Sequence, residues 1–125
     1  MEFVKTDKAP KAVGPYSQAV VSGNFVFVSG QIPLDPETGK MVEGDIEEKT
    51  RRVLENVSAV LESAGLSLKN VVKVTVFITD LSNFEKVNKV YSEFFGDHKP
   101  ARSFVEVSSL PKGAEIEIEV IAEKG

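Results

Sequence analysis

Residues Val71 to Thr79 (Val-Val-Lys-Val-Thr-Val-Phe-Ile-Thr) form a β-branched, alternating run that has apolar side chains to bury on both of its faces. Side chains along a strand point alternately to opposite sides, and this residue mix suits a pleated, half-buried surface. Val72, Val74, Val76 and Ile78 are expected on one face, with Thr75, Phe77 and Thr79 on the other. Such a strand belongs inside a sheet, and each face needs a cover.

Two helical patterns supply the first cover. Asp45 with Glu48 three residues later resembles a capping box. Ile46, Val53, Leu54, Val57, Val60, Leu61 and Ala64 then fall on one stripe, and Gly65 ends the helix. Ser82 with Glu85 predicts a second capping box, opening a helix through Phe84, Val87, Tyr91, Phe94 and Phe95 that closes at Gly96. Val20-Val21 and Phe25 to Val28, separated by Ser22-Gly23-Asn24, read as a hairpin, and Leu34 to Gly39 as a turn. Strands are also expected at about Ala101 to Val107 and Ala114 to Ala122. The pattern gives a single α+β domain over residues 1–125, with no repeat or linker. Its sheet is mixed, mostly antiparallel and of about six strands, with both helices on one face.

The second face is harder to satisfy. Phe25, Phe27 and Ser29 oppose Val26 and Val28, and Arg102, Phe104 and Glu106 oppose Ala101, Ser103, Val105 and Val107. The aromatic set should not stay in water. Another copy of the chain is the expected cover; a barrel-like curl within one subunit is the alternative.

Composition removes several chemistries. The chain has no cysteine and one histidine, His98, so thiolate sites, a zinc site and a histidine-based triad are not expected. A net charge of -4 with scattered lysines lacks the basic stripe of a nucleic-acid binder. No signal peptide or membrane span is apparent, and the expectation is a cytoplasmic protein.

Only three arginines occur. Arg51 and Arg52 sit on the first helix and read as solvated, whereas Arg102 begins a strand on the face of Phe104. A guanidinium among rings is costly unless an anion answers it, and its planar fork grips carboxylates through two parallel bonds. Two readings stand level: an ion pair with Glu106 or a last-strand glutamate, and a ligand clamp. Ile116-Glu117-Ile118-Glu119-Val120 places Glu115, Glu117 and Glu119 on one face. A solvated acidic side is the plainer reading; bordering the covered face, one glutamate becomes a desolvated acid/base. Tyr16 reads as a loop plug or a ligand contact. Asn88 interrupts the second apolar stripe and is expected to bond a backbone edge. Ser29-Gly30 lets backbone come close to a turn or a ligand.

Five segments fall in order: Gly14-Pro15-Tyr16-Ser17-Gln18-Ala19, Ser29-Gly30-Gln31-Ile32-Pro33, Val87-Asn88 with Tyr91, Pro100-Ala101-Arg102-Ser103 with Val105-Glu106-Val107, and Ile116-Glu117-Ile118-Glu119. Together they resemble the Rid family of reactive intermediate (enamine/imine) deaminases, RidA type, over essentially the whole chain. The resemblance implies a chorismate-mutase-like trimeric fold with clefts between subunits. It implies a cofactor-free, metal-free enzyme that hydrolyses 2-imino acids to 2-keto acids and ammonia. In that scheme Arg102 holds the substrate carboxylate, and Glu117 orients water and moves protons. Tyr16 lines the cleft from a neighbouring subunit, backbone at Ser29, Gly30 and Phe104 meets the reacting end, and Asn88 supports the site. Phe104 stands where many relatives carry cysteine, and the loop Gly96 to Lys99 is shorter than usual; both bear on substrate preference. Two other classes remain as alternatives: a non-catalytic carboxylate-binding module that regulates a partner, and a ribonuclease or translation inhibitor.

Overall fold

A computed structural model describes residues 1–125. Its strands are β1 (Glu2–Val4), β2 (Ala19–Ser22), β3 (Phe25–Gln31), β4 (Val71–Ile78), β5 (Ala101–Glu106) and β6 (Ile116–Glu123), and its helices are α1 (Ile46–Ser63) and α2 (Phe84–Phe95). The strands form one sheet in the order β1-β2-β3-β6-β4-β5. Every pairing is antiparallel except β4 with β5, which is parallel and connected through α2. A parallel pair needs such a crossover, and its helix packs back on the sheet.

Both helices cover the same, inner face. The Asp45 side chain accepts from the Glu48 N–H at 3.0 Å and caps α1. At the other end Gly65 N–H donates to Glu62 O and Leu66 N–H to Leu61 O, a Schellman closure made possible by Gly65 at φ 80°. Val53, Leu54, Val57, Val60 and Leu61 of α1 and Val87 and Val90 of α2 are sealed against Val74, Val76, Ile78, Ile116, Ile118 and Val120 of the sheet. Each such side chain contributes roughly 1.5–3 kcal/mol on burial, so this interface is the main stabilising element of the fold.

Four sequence expectations need correction. The second helix has no Ser82–Glu85 capping box: the Asp80 carboxylate accepts both the backbone N–H and the hydroxyl of Ser82, closing a 3-10 turn at Leu81–Asn83. Helix α2 starts behind that turn, with Asn83 at its N-cap making no side-chain bond. Val72 does not join Val74 in the core. The β4–β6 ladder shifts register between Val71 and Lys73, so Val71 is buried and Val72 is exposed. Arg102 and Phe104 lie on the inner face rather than with the outer aromatics, because the parallel register sets them opposite buried Val74 and Val76. Finally, β1 is a strand that the alternation pattern did not announce.

The outer face carries no helix. Phe3, Val20, Phe27 and Ile121 form one row across β1, β2, β3 and β6, which meets Lys73 on β4, while Phe77 and Val105 form a separate apolar pair beside Glu117. Phe3 and Phe27 are 73% and 46% exposed.

Candidate functional site

One half of the candidate site forms where β3 bulges beside β6. The ladder between these strands shifts register between Val28 and Gln31, which puts Ser29 and Gly30 in the irregular stretch. Bulges re-aim neighbouring side chains and recur beside functional sites. Glu117 of β6 pairs with Phe77 on its other side, and its carboxylate rests directly against Gly30. Any Cβ at position 30 would overlap that carboxylate. A side chain at position 30 would therefore displace the Glu117 carboxylate from this seat.

The loop carrying Tyr16 is pinned to the same place. Ser29 Oγ donates to Ser17 O at 2.6 Å, and Ser29 N–H donates to Gln18 O at 2.9 Å. The buried Gln18 amide accepts from Thr6 N–H and donates to Thr6 O and Pro10 O, which holds the preceding segment. From α1, buried Asn56 donates to Ile32 O and Leu34 O and fixes the chain that leaves the bulge. The result is an open cavity of about 770 Å³ lined by Tyr16, Ser29, Gly30, Lys112, Glu117 and Glu119, among others. Burial raises the Glu117 pKa above the ordinary carboxylate value, and the like charge of Glu119 adds to the rise. Glu117 takes part in no ion pair.

The other half lies on the inner face at the edge strand β5. Arg102 Nη1 donates to Asn88 Oδ1 of α2 at 2.7 Å. Its guanidinium carbon lies 4.7 Å from the Tyr91 ring centroid, 5.2 Å from Phe104 and 5.8 Å from Phe84. The ion pair with Glu106, one of the two readings held level, does not form; that carboxylate accepts from Leu81 N–H at 2.7 Å. No last-strand glutamate reaches Arg102 either. Asn88 serves a side chain rather than a backbone edge. Asn88, Tyr91, His98, Lys99 and Arg102 line a cavity of about 290 Å³ that has no acidic side chain in its wall.

Sequence reasoning passed over Tyr91, treating it as part of an apolar stripe. The signal was available: Asn88 and Tyr91 are three residues apart, so they share one helix face. Tyr91 is 8% exposed, and its hydroxyl is buried without a hydrogen-bond partner. Burial raises its pKa, and the Arg102 cation opposes that rise.

Within one chain, Tyr16, Ser29, Gly30 and Glu117 come together, and Arg102, Asn88 and Phe104 come together. The two groups occupy opposite faces of the sheet, because Arg102 sits opposite Val74 while Glu117 sits opposite Phe77. No group of three or more His, Asp or Glu side chains is placed to hold a metal ion. No helix is long and apolar enough to cross a membrane.

Two helices on one face of a six-stranded mixed sheet give the chorismate-mutase-like fold of the Rid proteins. A family model described as Endoribonuclease L-PSP matches residues 6–124. A RutC family protein of Pyrococcus abyssi is 63% identical, covering 98% of this chain and 97% of the relative. A Thermotoga maritima crystal structure, provisionally described as an endoribonuclease, superposes with a TM-score of 0.98 at 68% identity, covering 100% of this chain and 98% of the other. Escherichia coli TdcF, provisionally named a reactive intermediate deaminase, is 48% identical over 97% of this chain and 95% of its own length. The structure of E. coli TdcF with bound serine superposes with a TM-score of 0.95 at 46% identity over 100% of both chains. The chain belongs to this Rid (RutC) family.

Proposed function

We propose that this chain is a 2-imino acid deaminase that works as a homotrimer, with each site completed across the boundary between two copies. The observation that carries the reading is Arg102. It is a half-buried cation that the fold provides with rings and one amide oxygen but with no carboxylate. A desolvated guanidinium is most favourable when a hydrogen-bonded anion completes it. The outer apolar row of Phe3, Val20, Phe27 and Ile121 favours a second copy as cover. Charge adds a smaller argument for the same pairing: the Arg102 cavity has a cationic wall, and the other cavity carries Glu37, Glu117 and Glu119 against Lys11 and Lys112.

In the proposed reaction Arg102 holds the substrate carboxylate and sets the C=N carbon over Glu117 of the adjoining copy. The Glu117 carboxylate takes a proton from water as the oxygen bonds to that carbon, and the C=N electrons move to nitrogen. That proton then passes to the amine nitrogen; Glu117 next takes the hydroxyl proton as the C=O bond forms and the C–N bond breaks, and ammonia leaves with that proton as ammonium beside the 2-keto acid. An iminium carbon is already electrophilic, so positioning and one general base suffice. Tyr16 walls the cleft, Ser29 and Gly30 present backbone to the reacting end, Asn88 steers Arg102, and Phe104 limits the room beside it.

The test is to generate 2-aminoacrylate with a serine dehydratase and follow pyruvate release above the spontaneous rate. Acceleration is expected, and its absence would defeat the reading. Gly30→Ala should lower this activity by about 10²-fold, because displacing a catalytic group by about an ångström has that effect. Its far-UV spectrum should match that of the unaltered chain, since the clash falls on one side chain. Full activity in Gly30→Ala would separate Glu117 from the chemistry.

The endoribonuclease description fits the site less well. The single imidazole, His98, is tied by Nε2 to Val71 O at 2.7 Å. That leaves no histidine pair for phosphodiester cleavage, and intact labelled RNA after incubation is the expected result. A non-catalytic carboxylate binder would share Arg102 but would not depend on Glu117.

A further inference from the structure

The clamp role given to Arg102 above raises the question of what holds the guanidinium in place. Only one of its nitrogens is committed within the chain, through the Nη1 bond to Asn88 Oδ1. Nε and Nη2, which share one edge of the planar group, make no intrachain hydrogen bond. That edge has the geometry of a bidentate carboxylate grip. A single bond at one corner fixes neither the plane nor the direction of that edge. The ring of Tyr91 can do both.

We propose that Tyr91 is a positioning residue, its ring acting as the platform that sets the Arg102 guanidinium for carboxylate capture. Of the three rings around Arg102, that of Tyr91 is nearest, with its centroid 4.7 Å from the guanidinium carbon. The platform is itself immobile. Tyr91 stacks on Phe95 with centroids 4.4 Å apart and planes inclined at 25°, and both side chains are buried. Asn88 and Tyr91 project from one face of α2, so a single rigid element fixes the corner and the plane together. Ordering the long arginine side chain before binding removes an entropy cost that a carboxylate would otherwise meet on arrival. No hydrogen bond of ordinary geometry joins the Tyr91 hydroxyl to Arg102, although the two groups are close, so the role is assigned to the ring and Tyr91→Phe tests that assignment.

The experiment separates ring, hydroxyl and stability. Pyruvate is titrated calorimetrically into the unaltered chain and into Tyr91→Leu, Tyr91→Phe, Val90→Ala and Arg102→Ala, alongside steady-state kinetics on 2-aminoacrylate. Tyr91→Leu should raise the pyruvate Kd and the KM by about 5- to 30-fold, with kcat held within about threefold. Tyr91→Phe should restore both to within about twofold, because it keeps the ring. Val90→Ala removes buried volume from the same helix at a residue that makes none of the hydrogen-bond or ring contacts of Arg102. It should lower the melting temperature and leave the pyruvate Kd unchanged.

Should Tyr91→Leu not fold, Tyr91→Met fills similar volume and carries the same expectation. Unchanged binding in the ringless variant overturns the proposal. So does Tyr91→Phe binding as weakly as Tyr91→Leu, or Val90→Ala weakening binding as much. If Arg102→Ala binds pyruvate as well as the unaltered chain, or the unaltered chain does not bind it, the clamp reading itself fails and the platform with it.

Discussion

Glu117→Gln is expected to cut catalysed pyruvate release from 2-aminoacrylate by about 10²–10⁴-fold, the range supplied by a positioned proton acceptor. The amide is nearly isosteric, so the contact with Gly30 survives while the basic oxygen is lost. Pyruvate binding should stay within about threefold, since the carboxylate of the ligand is held elsewhere. The pH profile adds a second readout. Burial and the charge of Glu119 raise the Glu117 pKa, so the acidic limb of kcat/KM should lie above the ordinary glutamate range. Activity should fall as pH drops through that limb.

Stability must move the opposite way. A carboxyl whose pKa is raised on folding binds its proton more tightly in the native state than in the unfolded chain. Its favourable contribution is present below the unfolded pKa and is lost as pH rises through the native one. Glu117→Gln, which never ionises, should therefore melt above the unaltered chain at neutral pH, and the gap should narrow on acidification. An active Glu117→Gln, or one less stable at neutral pH, would remove this residue from the proposed role.

Arg102→Ala should lower kcat/KM by about 10²–10⁴-fold, mostly through KM. Two charge-assisted bonds to a carboxylate, at roughly 1.5–3 kcal/mol each, set that scale. Structural damage should be small, because the guanidinium makes one hydrogen bond within the chain and half-exposed ring contacts. Arg102→Lys should recover little, since a point charge lacks the planar fork and stacks poorly on rings. Both are checked by initial rates against substrate concentration. An unchanged KM in Arg102→Ala would leave the carboxylate without its anchor.

Much of this architecture is legible in the chain before any fold is known. The stripes on α1 and α2 and the alternation of β3, β4 and β6 are strong because each element buries one continuous face. The errors within the sheet share a cause: they depend on how strands pair. A shifted register moves Val72 into solvent, and a bulge at Ser29–Gly30 seats Glu117 against glycine. Neither shift leaves a mark in local composition. The face of Arg102 was misread because parallel pairing with β4 sets it opposite Val74, a fact that α2 imposes from outside the strand. Strand β1 was missed since three residues at a sheet edge carry too little pattern. The candidate site residues come from motifs; their division between two faces does not, because no motif encodes strand direction. Tyr91 escaped notice since an aromatic at helical spacing usually means core, which it also is.

Mixing two inactive variants tests the shared site most directly. Arg102→Ala and Glu117→Gln are unfolded together, refolded as an equal mixture, and assayed for pyruvate release from 2-aminoacrylate. In a closed ring of copies, a site is intact when its arginine comes from the Glu117→Gln chain and its glutamate from the Arg102→Ala chain. Random assembly then restores about a quarter of the unaltered activity, while each variant refolded alone stays inactive. If the mixture is as inactive as its parts, both residues act within one copy and the inter-subunit site is wrong.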